Sequence, residues 1–160
     1  MITRRILCAH DLSYASAPAL RLAIELAHQL QVPLTVLHAT EPPYTRSTML
    51  GHDTFSASEL ELLTGIARRG EAAALRVLQD ELKERNPQGR DAVDADVLVR
   101  QGIAVDVVTR VARELQVDFV VVGTHARKGV QHALLGSVAE RLIRTCPCPV
   151  LVARPGEPAA

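Results

Sequence analysis

A chain of 160 residues with 18 acidic and 18 basic side chains has no formal net charge and a pI near 7.0. That balance argues against a general nucleic-acid or membrane-surface binder, which needs a strong basic excess. Tyr14, Tyr44, Phe55 and Phe119 are the only aromatic residues and Trp is absent, so the stacking platforms of single-strand and RNA binders are missing as well.

The length suits one domain able to bury a real core. Its ligand is then held by aliphatic walls and backbone groups. No apolar run reaches the ~20 residues of a membrane helix. Asp11 interrupts the apolar run after Arg4-Arg5, too early for a signal-peptide core of about 7–15 residues. Cys8, Cys146 and Cys148 are too few and too clustered for a disulfide framework. A cytoplasmic protein is expected.

In chain order, Ile6–Ala9 is a short continuous apolar run and reads as a strand. Leu20, Ile24, Ala27 and Leu30 recur at helical spacing, with Ser16 as the expected cap and Pro18 in the first turn. Leu34–Ala39 is the second strand. An irregular stretch from Glu41 to Thr54 follows, containing Pro42-Pro43 and Gly51, and is expected as a lid over the sheet's edge. Leu60, Leu63, Ala67, Ala74, Leu78 and Leu82 make a long amphipathic helix ending before Asn86-Pro87-Gln88-Gly89. Its glutamates Glu59, Glu61, Glu71, Glu81 and Glu84 read as a solvated face. Val97–Val99 is a strand, and Val107, Val108, Val111 and Leu115 a helix. Phe119–Val122 is the fourth strand, Val138, Leu142 and Ile143 the fourth helix, and Val150–Ala153 the last strand. The domain spans residues 1–155, with 156–160 a frayed tail. Continuous Val/Ile/Leu runs alternating with amphipathic helices predict a parallel, doubly wound α/β sheet.

In such a sheet, ligands bind beyond the carboxyl ends of the strands, where the order of strands reverses. His10-Asp11-Leu12-Ser13, Ala39-Thr40-Glu41 and Gly123 to Ser137 fall there. Gly123 permits a tight exit from its strand. Gly136-Ser137 opens a helix whose first N–H groups and dipole favour an anion, and Arg127 and Lys128 add charge for phosphate oxygens. The plainer reading of Ser137 is a capping box with Glu140. Between Gly123 and Arg144 the only acid is Glu140, against Arg127, Lys128, Arg141 and Arg144, a local positive excess inside a neutral chain. G-x-x-x-x-G-K-[ST] and G-x-G-x-x-G are both absent, which sets aside P-loop NTPases and ordinary dinucleotide dehydrogenases.

The stretch V-V-V-G-T-H-A-R-K-G…L-L-G-S-V-A-E-R-L-I-R-T-C-P-C-P-V-L-V-A-R, Val120 to Arg154, resembles the C-terminal half of the universal stress protein family. I-L-C-A-H-D-L-S and L-T-V-L-H-A resemble that family's opening. The resemblance implies a Rossmann-like, adenine-nucleotide α-hydrolase-like fold: a five-stranded parallel sheet in order 3-2-1-4-5 with helices on both faces. It implies an ATP, AMP or ADP ligand, with Mg2+ accompanying the nucleotide, and a stress-response regulator with little or no hydrolysis. Many members carry G-x-x-G, nine residues, then G followed by Ser or Thr. Here Gly123, Gly136 and Ser137 fill that pattern and Ala126 replaces its second glycine.

By the same resemblance Arg127 faces phosphate and Asp11 lies near the nucleoside. Ala39 and Val122 line an adenine slot, and the Val138 N–H joins the phosphate cradle. No catalytic residue and no protein metal ligand is implied. The implied partner is a second copy joined through Pro149–Ala153, with neither nucleic acid nor membrane. Ala126 leaves a second reading open, an interaction protein of the same fold that binds no nucleotide. An adenylyl-transferring relative needs an H-x-G-H or S-G-G-x-D-S motif, and neither is present. His10 and His38 read as packed or hydrogen-bonded histidines, His125 and His132 as loop residues. Cys146-Pro-Cys148-Pro lacks the four ligands of a structural zinc site.

Overall fold

The computed structural model describes residues 5–42, 55–86, 92–124 and 136–154. The expected lid, the turn after Asn86 and the tail therefore lie wholly or mostly outside the described residues. Five strands, β1 (Ile6–Ala9), β2 (Leu34–Thr40), β3 (Ala95–Gln101), β4 (Phe119–Gly123) and β5 (Val150–Ala153), form one sheet in order β3-β2-β1-β4-β5 with every pair parallel. This is the order expected. Four α-helices complete the described fold: α1 (Ala17–Leu30), α2 (Ala57–Arg85), α3 (Ala104–Glu114) and α4 (Ser137–Thr145), with a short 3-10 turn at Tyr14–Ser16. No helix among the described residues is long and apolar enough to cross a membrane.

Strand periodicity divides the core in two. Ile6 and Cys8 of β1 point with Leu34, Val36 and Val121 toward α1 and α2, where they meet Leu20, Ala23, Leu78 and Leu82. Leu7 and Ala9 point the other way, with Leu37, Val120 and Val122, toward Val107, Val108 and Val111 of α3 and Ala139 and Leu142 of α4. Because β1 and β4 are covered on both sides, their sequences are continuous apolar runs. β3 is an edge strand and extends two residues beyond Val97–Val99 at each end. Its polar residues Asp96 and Arg100 are exposed there, so a search for apolar runs detects only its middle. At the amino ends of the strands, Arg5 Nη1 donates to Thr35 Oγ1 at 2.6 Å and Thr35 Oγ1 to Asp96 Oδ1 at 2.6 Å.

Helix ends follow local chemistry. Pro18 lies in the first turn of α1, where an N–H has no helical partner to lose. Ser56 and Glu59 form a reciprocal capping box on α2: the Glu59 N–H donates to Ser56 Oγ at 3.3 Å and the Ser56 N–H to Glu59 Oε2 at 2.8 Å. α2 has 29 residues, yet its fully buried side chains, Ala74, Leu78 and Leu82, all lie in its second half. Burying Leu78 completely contributes about 1.5–3 kcal/mol.

Candidate functional site

The sheet reverses direction between β1 and β4, and the predicted residues gather at the carboxyl ends of these strands. Ala9 is in register with Leu37 and Val122. Continuing that register sets Asp11 level with Ala39 and Thr124. The helix α4 runs back against the strands, so its first residues, Gly136 to Val138, lie at this same end of the sheet. The fold thus brings together Asp11, Ala39, Val122, Gly123, Gly136, Ser137 and Val138. Ala126 and Arg127, with His125, Lys128 and His132, lie outside the described residues.

Asp11 is exposed and held by its own turn. Its Oδ1 accepts from Ser13 N at 2.9 Å, Ser13 Oγ at 2.6 Å and Ser16 Oγ at 2.6 Å. Ser16 occupies the N-cap position of α1 but makes no cap with its side chain. Its hydroxyl is turned to Asp11 instead, also accepting the Asp11 N–H at 3.2 Å. Between them, Leu12 sits at φ 63°, a left-handed conformation that costs a non-glycine residue roughly 1–2 kcal/mol. Tyr14, three residues beyond Asp11 in the sequence, is 92 % exposed.

Gly123 is required for close approach rather than for a positive φ. A Cβ there would lie 2.8 Å from the Ala15 carbonyl oxygen and 3.4 Å from Ser16 Cα. Val122 is 6 % exposed and belongs to the α3/α4 core, and Ala39 packs against the same cluster.

The capping box expected at Ser137 does not form. Gly136 takes the N-cap position with φ −60° and ψ 145°, and no side chain caps the helix. Ser137 becomes the first helical residue, and Glu140 instead accepts from Arg144 Nη2 at 2.9 Å. Two of the four basic residues expected beside this helix start are therefore displaced from it. Arg144 lies in the last turn, bound to Glu140, and Arg141 on the exposed middle turn. Among the described residues no side chain caps the first N–H groups of α4, which with the helix dipole can attract an anion.

His10 is packed and hydrogen-bonded, as expected, but its contact with Glu81, the burial of Glu81 and a buried Thr40 hydroxyl were not foreseen. His10 is 4 % exposed. Its Nδ1 accepts the Leu12 N–H at 3.1 Å, and its Nε2 lies 3.4 Å from Glu81 Oε2, a charge contact that falls short of hydrogen-bond geometry. Burial lowers the His10 pKa, against the opposing pull of Glu81 and Asp11. Glu81, expected on the solvated face of α2, is mostly buried and its Oε1 accepts from Arg85 Nε at 3.0 Å. The signal was present: Glu81 and Arg85 follow Ala74 and Leu78 by seven residues, on the same stripe of the helix. Finally, Thr40 Oγ1, at the carboxyl end of β2, is buried without a hydrogen-bond partner among the described residues. His38, as expected, is satisfied: its Nδ1 meets the His10 carbonyl at 2.8 Å.

A groove between the first half of α2 and the end of β3, lined by Leu60, Leu63, Ala67 and Gln101 among others, includes none of the predicted site residues. The Cys146 and Cys148 thiols share a hydrogen bond, sulfur to sulfur 3.6 Å, and form no disulfide. Burial, followed by the Cys146 side chain, pushes the Cys148 thiol up to about 12. No three His, Cys, Asp or Glu side chains come together to hold a metal among the described residues.

A parallel α/β sheet whose strand order reverses beside the β1–α1 turn and the start of α4 defines a class of domains built on the Rossmann-like plan. Within that class, the chain matches the model of the Universal stress protein family over residues 3–154 and belongs to that family. It is 28% identical to the universal stress protein YxiE of Bacillus subtilis over 152 residues, 94% of this chain and 98% of that one. The fold is similar to that of the universal stress protein UspA from Lactobacillus plantarum, at 19% identity and a TM-score of 0.75, covering 95% of this chain and 98% of that one. It is similar also to a universal stress protein solved in complex with cAMP, at 23% identity and a TM-score of 0.63, covering 94% and 96% of the two chains.

Proposed function

We propose that this protein is a stress-response regulator that binds ATP or AMP at the carboxyl ends of β1, β2 and β4, holding the nucleotide as a signal. The observation that carries this reading is the start of α4. Its cap residue is a glycine with no side-chain cap, at the same end of the sheet as Asp11, Ala39 and Gly123, so its first N–H groups are available to phosphate oxygens. Asp11 faces the nucleoside, and Ala39 and the end of β4 at Val122–Gly123 bound the base. Gly136, Ser137 and the Val138 N–H cradle the phosphates; the family resemblance adds Ala126 and Arg127 to the ligand residues. The cAMP-bound relative supports an adenine nucleotide as the ligand class.

Mg2+ arrives with the nucleotide, held by its phosphates, since the described site residues form no ligand cluster of their own. With Asp11 Oδ1 committed to three hydrogen bonds, little or no hydrolysis is expected. The protein works in the cytoplasm as a dimer through β5, the edge strand next to β4. Ala126 favours one competing reading, an interaction protein of the same fold whose extra methyl keeps phosphates out.

Titration calorimetry with ATP and AMP separates the two. Wild-type protein should bind. Gly136→Pro should bind about tenfold more weakly: proline accepts φ −60° but removes one N–H donor to a charged group. No heat from the wild type, with binding gained by Ala126→Gly, overturns the nucleotide reading.

A further inference from the structure

The nucleotide reading uses Asp11 but leaves its neighbour His10 without a role. His10 Nδ1 accepts the Leu12 N–H, and an imidazole nitrogen that accepts carries no proton. The neutral ring therefore bears its proton on Nε2, facing Glu81 Oε2 at 3.4 Å. Glu81 and Arg85 face the ring from α2, His38 from β2 and Asp11 from its own turn. The bond from Leu12 holds a residue in the left-handed region. The residues on either side of Leu12 are Asp11 and Ser13, which are tied to each other through Asp11 Oδ1.

We propose that His10 is a proton-sensitive positioning residue: as the neutral imidazole it fixes the β1–α1 turn so that Asp11 meets the nucleotide, and with a second proton it releases that turn. Protonation from solvent replaces an acceptor with a donor at Nδ1, directly against the Leu12 N–H, so the bond that holds Leu12 is lost. The proposal rests on the reading that Asp11 faces the ligand. The direction of the effect follows from burial, which disfavours the charged ring and outweighs the pull of Glu81 and Asp11. The native state therefore binds fewer protons than the unfolded chain. The turn is fully held above the ordinary imidazole pKa of about 6.5, and its contribution is lost as pH falls toward the lower native value.

His10→Asn keeps an acceptor near the Nδ1 position and cannot titrate, whereas His10→Val removes the acceptor. AMP affinity is measured by calorimetry at pH 7.5 and at successively lower pH through the His10 titration as the ratio of wild type to variant, in which the titration of the ligand phosphate cancels. The wild type should lose affinity relative to His10→Asn as His10 takes up its second proton, by about tenfold once the ring is fully protonated, the worth of one hydrogen bond. His10→Val should be weaker by a similar factor already at pH 7.5. A ratio to His10→Asn that does not change with pH overturns the proposal. Nitrogen-15 NMR of the protein without nucleotide gives a readout independent of binding. Nδ1 should carry no proton at pH 7.5, and the Leu12 and Ser13 amide signals should move along the His10 titration curve. Amides that ignore His10 overturn the proposal. Amides that follow it in a protein that binds no AMP support control of the turn and sink the nucleotide reading alone.

Discussion

Replacing Gly123 by alanine tests whether the β1–α1 turn is seated on β4 as the structure has it. The added Cβ would stand 2.8 Å from the Ala15 carbonyl oxygen and 3.4 Å from Ser16 Cα. Both atoms are backbone, so neither can rotate away, and the turn must lift off the strand by roughly half an ångström. Overpacking of this kind costs about 1–3 kcal/mol. Gly123 does not have a positive φ, so alanine itself is unstrained. It recovers about 0.4–1 kcal/mol by restricting the unfolded chain. At mid-range the net loss is about 1.3 kcal/mol, a fall in Tm of about 3–5 °C for a chain of this size.

Gly70→Ala is the matched control. It lies inside α2, and a Cβ there meets nothing within 4 Å, so helix propensity predicts a gain of about 0.5–1 kcal/mol. Urea unfolding of both variants is the assay, with AMP calorimetry on Gly123→Ala. Because Ser16 holds Asp11 at 2.6 Å, displacing Ser16 should weaken nucleotide binding as well. A Gly123→Ala protein that unfolds within about 0.5 kcal/mol of the wild type would refute the packing argument.

Two further outcomes are expected. Val150→Lys, which places a charge on the edge strand β5, should convert a dimer to monomers by light scattering, and an unchanged dimer would exclude β5 as the joining edge. Ser56→Ala removes the side chain at the centre of the α2 capping box. It should cost about 0.5–2 kcal/mol in urea unfolding, and a loss confined to a few tenths would mean the cap holds nothing that the folded state needs.

β1 and β4 were plain in the sequence because burial on two faces removes polar residues from them altogether. β3 was legible only in its centre, since an edge strand keeps Asp96 and Arg100 among its apolar residues. At the site, Asp11, Gly123 and Gly136 could be read from residue type and position at the ends of predicted elements. The pattern S-x-x-E could not be resolved the same way. It occurs at Ser56-Glu59, Ser58-Glu61 and Ser137-Glu140, and only the first becomes a capping box. At the last, Gly136 adopts the extended cap conformation one residue earlier. The contact between His10 and Glu81 joins residues distant in sequence, and nothing near either one announces its partner. What the sequence did contain was the stripe Ala74, Leu78, Glu81, Leu82, on which a carboxylate must be buried along with its neighbours.

The capped but lightly buried first half of α2 has a consequence for how the molecule comes apart. At 1.5 Å per residue, its 29 residues extend about 43 Å, whereas the seven residues of β2 or β3 reach only about 23 Å. Geometrically α2 is one helix, but energetically it is two. The portion carrying Ala74, Leu78 and Leu82 shares the fate of the sheet. The portion from Ala57 toward Gly70 is held by its own hydrogen bonds, the Ser56–Glu59 cap and partly exposed contacts such as Leu63 and Ala67. The overhanging turns can thus open and close on their own while the domain stays folded, giving this side of the molecule a degree of freedom that the rest of the sheet lacks.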